Sequence, residues 1–254
     1  MSHEIDVRQS TFPAVRHIAI GQPLRWLAAG VRDFLAHPLP SAFYGACFAA
    51  MGWLIVFTFR NAYQYVSALV TGFFLVGPFL AIGLYDLARR RQRGDAPALG
   101  PSLTAWRPNV GAIGIFALVL AVILLVWARA SLVVFALFYT QEMPSLQGFL
   151  AQVFSLDNLE FLIAYFCVGG FFAVLVFAIS VVSVPLMMDR NTDGVVAVLT
   201  SLKAFGESVP AMVAWGLVIT FVIGAGFALW FLGLVVAVSV IGHATWHAYR
   251  DVVE

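Results

Sequence analysis

Residues 209–249 read VPAMVAWGLVITFVIGAGFALWFLGLVVAVSVIGHATWHAY and contain no Asp, Glu, Lys or Arg. As one helix this run would be about 60 Å long, twice the roughly 30 Å hydrocarbon core of a bilayer. It therefore predicts a hairpin of two transmembrane helices, 209–230 and 232–250. The turn is expected near Trp230-Phe231-Leu232-Gly233, where Gly233 permits a bend and the aromatics suit the membrane interface.

The rest of the chain has the same character. It is 62% hydrophobic and 11% charged, with 23 Phe and a mean hydropathy of +0.94. A soluble domain carries about 25% charged residues, so the solvent for this much apolar surface is lipid. Four more spans are read at about 41–59, 65–87, 110–137 and 159–187. The expected fold is all-α: a polytopic six-helix transmembrane bundle over 41–254, preceded by a cytoplasmic N-terminal segment, 1–40. The start, MSHEIDVRQSTFPAVRH, is polar and has no signal-peptide pattern.

Cations set the orientation. Arg8, Arg16, Arg25 and Arg32 precede the first span. Arg89, Arg90, Arg91, Arg93 and Arg107 follow the second, Arg190 and Lys203 follow the fourth, and Arg250 follows the sixth. The opposite connections hold only Arg60, while the third carries Glu142, Asp157 and Glu160. The positive-inside rule places both termini in the cytoplasm. That result requires an even number of spans, which six supplies. The net charge of +1 gives no reason to expect nucleic acid.

Three segments that precede odd-numbered spans resemble one another. Gly30-Val31-Arg32-Asp33-Phe34 leads through Pro38 and Pro40 into the first, Ser102-Leu103-Thr104-Ala105-Trp106 through Pro108 into the third, and Ser201-Leu202-Lys203-Ala204-Phe205 through Pro210 into the fifth. The frame of the first and third extends to Tyr44-Gly45 and Trp215-Gly216. Each unit reads as an interfacial helix, a proline break and a hairpin. Leu24, Leu27, Val31 and Phe34, and likewise Val195, Leu199, Leu202 and Phe205, recur at helical spacing, so short amphipathic helices in the headgroup plane are expected.

Polar residues collect at the cytoplasmic ends of the even spans. Asp86 follows Pro78, Asp189 and Arg190 follow Pro185, and His243, His247, Tyr249 and Arg250 end the sixth. The prolines kink their helices and could bring these groups to one depth. One reading is a set of hydrogen bonds and ion pairs that lock helix ends together. A second is a metal site: His243 and His247 are four apart, on one helical face, and Asp86 or Asp189 could complete the shell. A third is a proton relay. Arg129, deep in the third span, either snorkels beside Trp127 or meets Glu142, Asp157 or Glu160.

No phosphate-binding glycine loop, nucleophile elbow or HExxH is present. Bis-histidine haem needs ligands on facing helices, and only the sixth span offers any, so no cofactor is expected unless His243 and His247 hold a metal or haem. Cys47 and Cys167 lie singly in apolar runs and read as packing residues. Small residues at Gly45, Ala49, Gly52, Gly169, Gly170, Gly224 and Ala228 allow close helix approach, within the bundle, to a partner protein or in a homo-oligomer.

The stretches PLRWLAAGVRDFLAHPLPSAFYG, GPFLAIGLYDLARR, SVVSVPLMMDR and GHATWHAYRDVV resemble a bacterial integral-membrane family, domain of unknown function 2189. The resemblance implies a bacterial inner-membrane location and a six-span bundle, and brings no catalytic residues. Some members are labelled cytochrome c oxidase subunits. The histidine count here disagrees with a haem-bearing core subunit and is compatible with an accessory one. The fourth connection also resembles, loosely, membrane domains attached to some glycerophosphodiesterases. The expected function is a non-catalytic membrane protein that serves as an accessory or assembly partner of a larger membrane complex, with a respiratory complex as one candidate. The alternatives are a small transporter or channel with a cytoplasmic-side polar site, and metal or haem handling through His243 and His247.

Overall fold

A computed structural model describes residues 13–62, 65–138 and 159–254. The described residues form helices joined by short turns, with no strand among them. In chain order they are α1 (Gln22–Ala36), α2 (Pro38–Asn61), α3 (Val66–Arg93), α4 (Leu99–Ser102), α5 (Val110–Phe138), α6 (Leu159–Ser180), α7 (Ser183–Arg190), α8 (Gly194–Glu207), α9 (Val209–Ala228) and α10 (Leu234–Val252). The termini of these helices follow local chemistry. Pro23, Pro38 and Pro210 occupy first turns, where no N–H donor is needed. Gly94 and Asn191 take left-handed conformations that stop α3 and α7. Asp193 caps α8, its carboxylate accepting from the Val195 N–H at 2.8 Å.

Five segments are long and apolar enough to cross a membrane: Pro38–Asn61, Ala68–Arg93, Leu99–Phe138, Leu159–Arg190 and Val209–Ala228. The sixth expected span, α10, is not among them. Its C-terminal half carries His243, His247, Arg250 and Asp251, and from Ser239 to Tyr249 only His247 escapes full burial. α10 is the core of the fold. α1, α2, α3 and α9 all pack on it.

The hairpin turn falls where expected, but Gly233 does not make it. Gly233 has an ordinary helical φ of −62°, and the bend is made by Trp230 (φ 52°) and Phe231 (φ 64°). Left-handed backbone is unfavourable by roughly 1–2 kcal/mol per non-glycine residue. Packing offsets this at Phe231, whose ring lies against Gly52 and Phe227.

The repeated units reappear as geometry. α1 ends at Ala36 and α2 starts at Pro38; α8 ends at Glu207 and α9 starts at Val209. The single linking residues, His37 and Ser208, have nearly the same backbone angles (φ −138°, ψ 65° and φ −138°, ψ 40°). The middle unit replaces the long interfacial helix with α4 and a short 3-10 turn, Arg107–Asn109. Equivalent positions in the three first spans are all buried: Ser41, Ile113 and Met212, then Tyr44, Phe116 and Trp215. Each interfacial helix packs on the second span of the preceding unit, taken cyclically: α1 on α10, α4 on α3, α8 on α6 and α7.

The interfacial helices turn their small-residue face inward. In α1 the buried residues are Pro23, Trp26, Gly30 and Asp33, and in α8 they are Ala197, Thr200, Ser201 and Ala204. Leu24, Val31, Val195, Leu199 and Leu202 are exposed. Close helix approach explains the selection. A Cβ on Gly30 would sit 2.5 Å from the Val240 carbonyl oxygen, so only the small-residue face fits against α10, and the apolar stripe is left for another apolar surface.

Candidate functional site

The arginine-rich end of the bundle is built from the C-terminus of α3. Successive helical residues point in different directions, so Arg89, Arg90, Arg91 and Arg93 reach three carboxylates between them. Asp86, one turn back from Arg89 and Arg90 on the same helix, is fully buried. It accepts from Arg89 at 2.5 Å and from Arg90 at 2.6 Å. Arg91 donates to Asp33 of α1 at 2.7 Å. Arg93 reaches Asp189 of α7 at 3.4 Å, and Arg89 lies 4.0 Å from the same carboxylate.

α10 completes the cluster from the other side. Tyr249 donates to Asp189 at 3.0 Å, with Arg250 at 3.6 Å. His247 shares Asp33 at 2.8 Å, and Trp246 donates to Gln92 at 3.0 Å. Asp251 accepts from Gln22 and Trp26 at 2.7 and 2.6 Å. Arg190 donates to the main-chain carbonyl of Glu254. Here the ends of the described chain meet: Val15 bridges Val253, and Arg16 pairs with Glu254 at 2.7 Å.

The two histidines take separate partners. His243 is buried, and its Nε2 lies 2.7 Å from Ser41 Oγ on α2. Ser41 Oγ in turn donates to the His37 carbonyl at 2.9 Å. Either member of the His243–Ser41 pair can be the donor, according to the imidazole tautomer. His247 is directed to Asp33 on α1. Among the described residues no three His, Cys, Asp or Glu side chains are grouped so as to hold a metal. The arrangement brings Asp86, Asp189, Tyr249, Arg250 and His247 to one end of the bundle, with His243 one turn deeper.

Arg129 is exposed on α5. Two of the acids considered for it, Glu142 and Asp157, lie outside the described residues. Glu160 opens α6 and makes no ion pair with it. Asp33, Gln22, Gln92, Ser41 and Asp251 belong to the same network and were not singled out from sequence. The one available signal was Asp33, an acid on the face of α1 opposite its apolar stripe.

Serines play equivalent parts at the unit junctions. Ser102 Oγ lies 2.7 Å from the Tyr44 hydroxyl, joining α4 to α2. Ser201 donates to the Ala178 carbonyl at 2.7 Å and accepts from the Val182 N–H at 3.2 Å. The break between α6 and α7 falls at Val181-Val182, because the Pro185 ring occupies the space a helical Val181 carbonyl would need.

Residues 66–189 match the model of the family described as Predicted integral membrane protein (DUF2189). The matched stretch runs from the start of α3 to Asp189 and includes the arginine row. The N-terminal PLRWLAAGVRDFLAHPLPSAFYG and the C-terminal GHATWHAYRDVV lie outside it. No curated protein and no solved structure matches the chain.

Proposed function

We propose that this chain is a non-catalytic, six-span protein of the bacterial inner membrane, with both termini in the cytoplasm, that serves as an accessory or assembly partner of a larger membrane complex. The observation that carries the reading is the use made of the polar residues. Asp33, Asp86, Asp189 and Asp251 are each satisfied by side chains of this chain. What the sequence offers as a candidate site is thereby employed in joining α1, α3, α7 and α10. Among the described residues, the polar groups at membrane depth give no route for a polar solute. A cavity of about 650 Å³ in the bundle is lined, among the described residues, only by apolar side chains and glycine.

The pairing of Val15 with Val253 supports an even number of crossings, since it holds the two ends of the described chain on one side. The exposed apolar faces of α1 and α8, flanked by Arg25, Arg32 and Lys203, suit the headgroup region of an anionic leaflet.

Purification from native membranes in mild detergent, followed by native mass spectrometry, tests the reading. A defined complex with another membrane protein is the expected result, and a respiratory complex is the first class to examine. A chain that always runs alone would remove the proposal. Flux in proteoliposomes tests the competing transporter reading: solute movement abolished by Asp189→Asn, in a variant that elutes as the wild type does, would put a pathway where we place a lock.

A further inference from the structure

The three seams of the ring of units are not equivalent. α2 packs along α10 and α5 along α3, but α9 has no comparable packing along α6. The two helices approach at Phe177, whose ring lies 3.8 Å from where a Cβ on Gly216 would be. Farther from the arginine-rich end, Gly224 on α9 and Gly170 on α6 are exposed. Among the described residues, the half of the bundle remote from the arginine cluster holds a cavity of about 650 Å³ and a smaller one of about 410 Å³, which share Leu120.

Size and polarity select the occupant of the larger cavity. A transmembrane helix is about 10 Å across, so a half-bilayer length of it needs roughly 1,200 Å³, more than is present. A hydrocarbon chain is thinner, and a volume of this size lies inside the roughly 300–1,000 Å³ range of small-molecule sites. The walls, which include Gly52, Val56, Gly77, Leu120 and Phe227, offer no hydrogen bond from a side chain. The strained Phe231 forms part of the rim.

Charge selects the headgroup. The face of α2 that lines the cavity through Gly52 and Val56 continues, one turn on, to Arg60. Arg60 is exposed in the last turn of α2 and makes no ion pair among the described residues. A cation at the interface end of an apolar cavity matches an anionic head on an apolar tail. We propose that the larger cavity holds one acyl chain of an anionic phospholipid from the leaflet remote from the arginine cluster, with Arg60 holding the phosphate.

The test uses the full chain in nanodiscs of phosphatidylcholine doped with phosphatidylglycerol that bears a photoactivatable acyl chain. Crosslinked peptides are mapped by mass spectrometry. Labelling should concentrate on the cavity faces of α2 and α3. Gly77→Leu puts a side chain into space where, outside its own stretch of helix, no described atom lies within 4 Å of the Cβ, and it should cut that labelling severalfold while the elution profile and Tm stay unchanged. Val70→Phe, also on the cavity wall, serves if the first variant does not fold. Arg60→Gln should abolish the preference for the phosphatidylglycerol probe over a phosphatidylcholine probe with the same chain. Labelling spread evenly over all lipid-facing helices and indifferent to Gly77→Leu would mean annular lipid only and overturn the proposal. Equal labelling of the wild type by the two probes would overturn it as well.

Discussion

Asp33 of α1 and His247 of α10 lie 2.8 Å apart, although 214 residues separate them in the chain. The carboxylate also accepts from Arg91 of α3 at 2.7 Å, so one buried acid ties together the start, the middle and the end of the protein. Asp33→Asn keeps the shape and removes the charge. Hydrogen bonds to charged groups contribute about 1.5–3 kcal/mol, and the partial exposure of Arg91 and His247 argues for the lower part of that range. A lower Tm in detergent is expected. In a double-mutant cycle, Asp33→Asn and His247→Ala should be non-additive by at least about 0.5 kcal/mol; strict additivity would show that the pair does not act as one.

Asp86 should matter more than Asp189, although the two look alike in sequence. Asp86 is fully buried, with two arginines at 2.5 and 2.6 Å. The Asp189 pairs are longer, at 3.4, 3.6 and 4.0 Å, and two of its arginines are well exposed. Breaking a buried pair by removing one partner costs about 3–5 kcal/mol, whereas exposed pairs contribute about 0–1 kcal/mol. Asp86→Asn should therefore lower the folded yield and Tm far more than Asp189→Asn does. Equal effects would contradict the burial argument.

Glycine positions divide sharply. A Cβ on Gly45 would lie 2.1 Å from the Val235 carbonyl oxygen, between α2 and α10. Gly72, also helical, has no atom within 4 Å of that position. Gly45→Ala should prevent normal packing of α10 and shift the protein to aggregate in size-exclusion chromatography. Gly72→Ala should leave elution unchanged and raise stability by about 0.5–1 kcal/mol, from the better helix propensity of alanine. If both variants eluted as wild type, the close crossing of α2 and α10 would be wrong.

The legibility of the fold followed the range of the interactions. Span placement and the three repeated units rest on local composition and on proline breaks, which the sequence displays directly. The grouping of Asp86, Asp189, Tyr249 and Arg250 was readable because all lie at the ends of neighbouring apolar runs. Asp33 was not readable as a partner, because its register is set by the Gly30 approach to Val240, which no periodicity reveals. The enclosure of α10 was hidden for a related reason. An uncharged run up to Tyr249 signals lipid, yet here it signals a helix enclosed by four others. Gly233 looked like the turn residue, but aromatic packing at Phe231 placed the bend two residues earlier.

Trp230 and Phe231 share an unfavourable backbone and differ in compensation. Phe231 packs on Gly52 and Phe227, while Trp230 is largely exposed. Trp230→Gly should relieve strain, stabilise the fold by about 1 kcal/mol and so raise Tm. Phe231→Gly removes the same strain together with a ring buried on α2, and should lower Tm.

Topology offers the most direct check on the arrangement as a whole. The N-terminal residues 14–16 and the C-terminal residues 252–254 are joined by two main-chain hydrogen bonds, Arg16 N–H to Val252 and Glu254 N–H to Ala14. This pairing supports the even number of crossings proposed above, which places both ends on one side of the membrane. A fluorescent protein fused after Glu254 should therefore fluoresce in the cytoplasm, and alkaline phosphatase at the same point should be inactive. Truncation before Val209 removes one hairpin and should leave a C-terminal reporter on the same side; truncation after Ala228 removes only α10 and should reverse it. If the reporter failed to reverse, α10 would not cross the bilayer, the chain would have five spans, and the pairing of its ends could not stand.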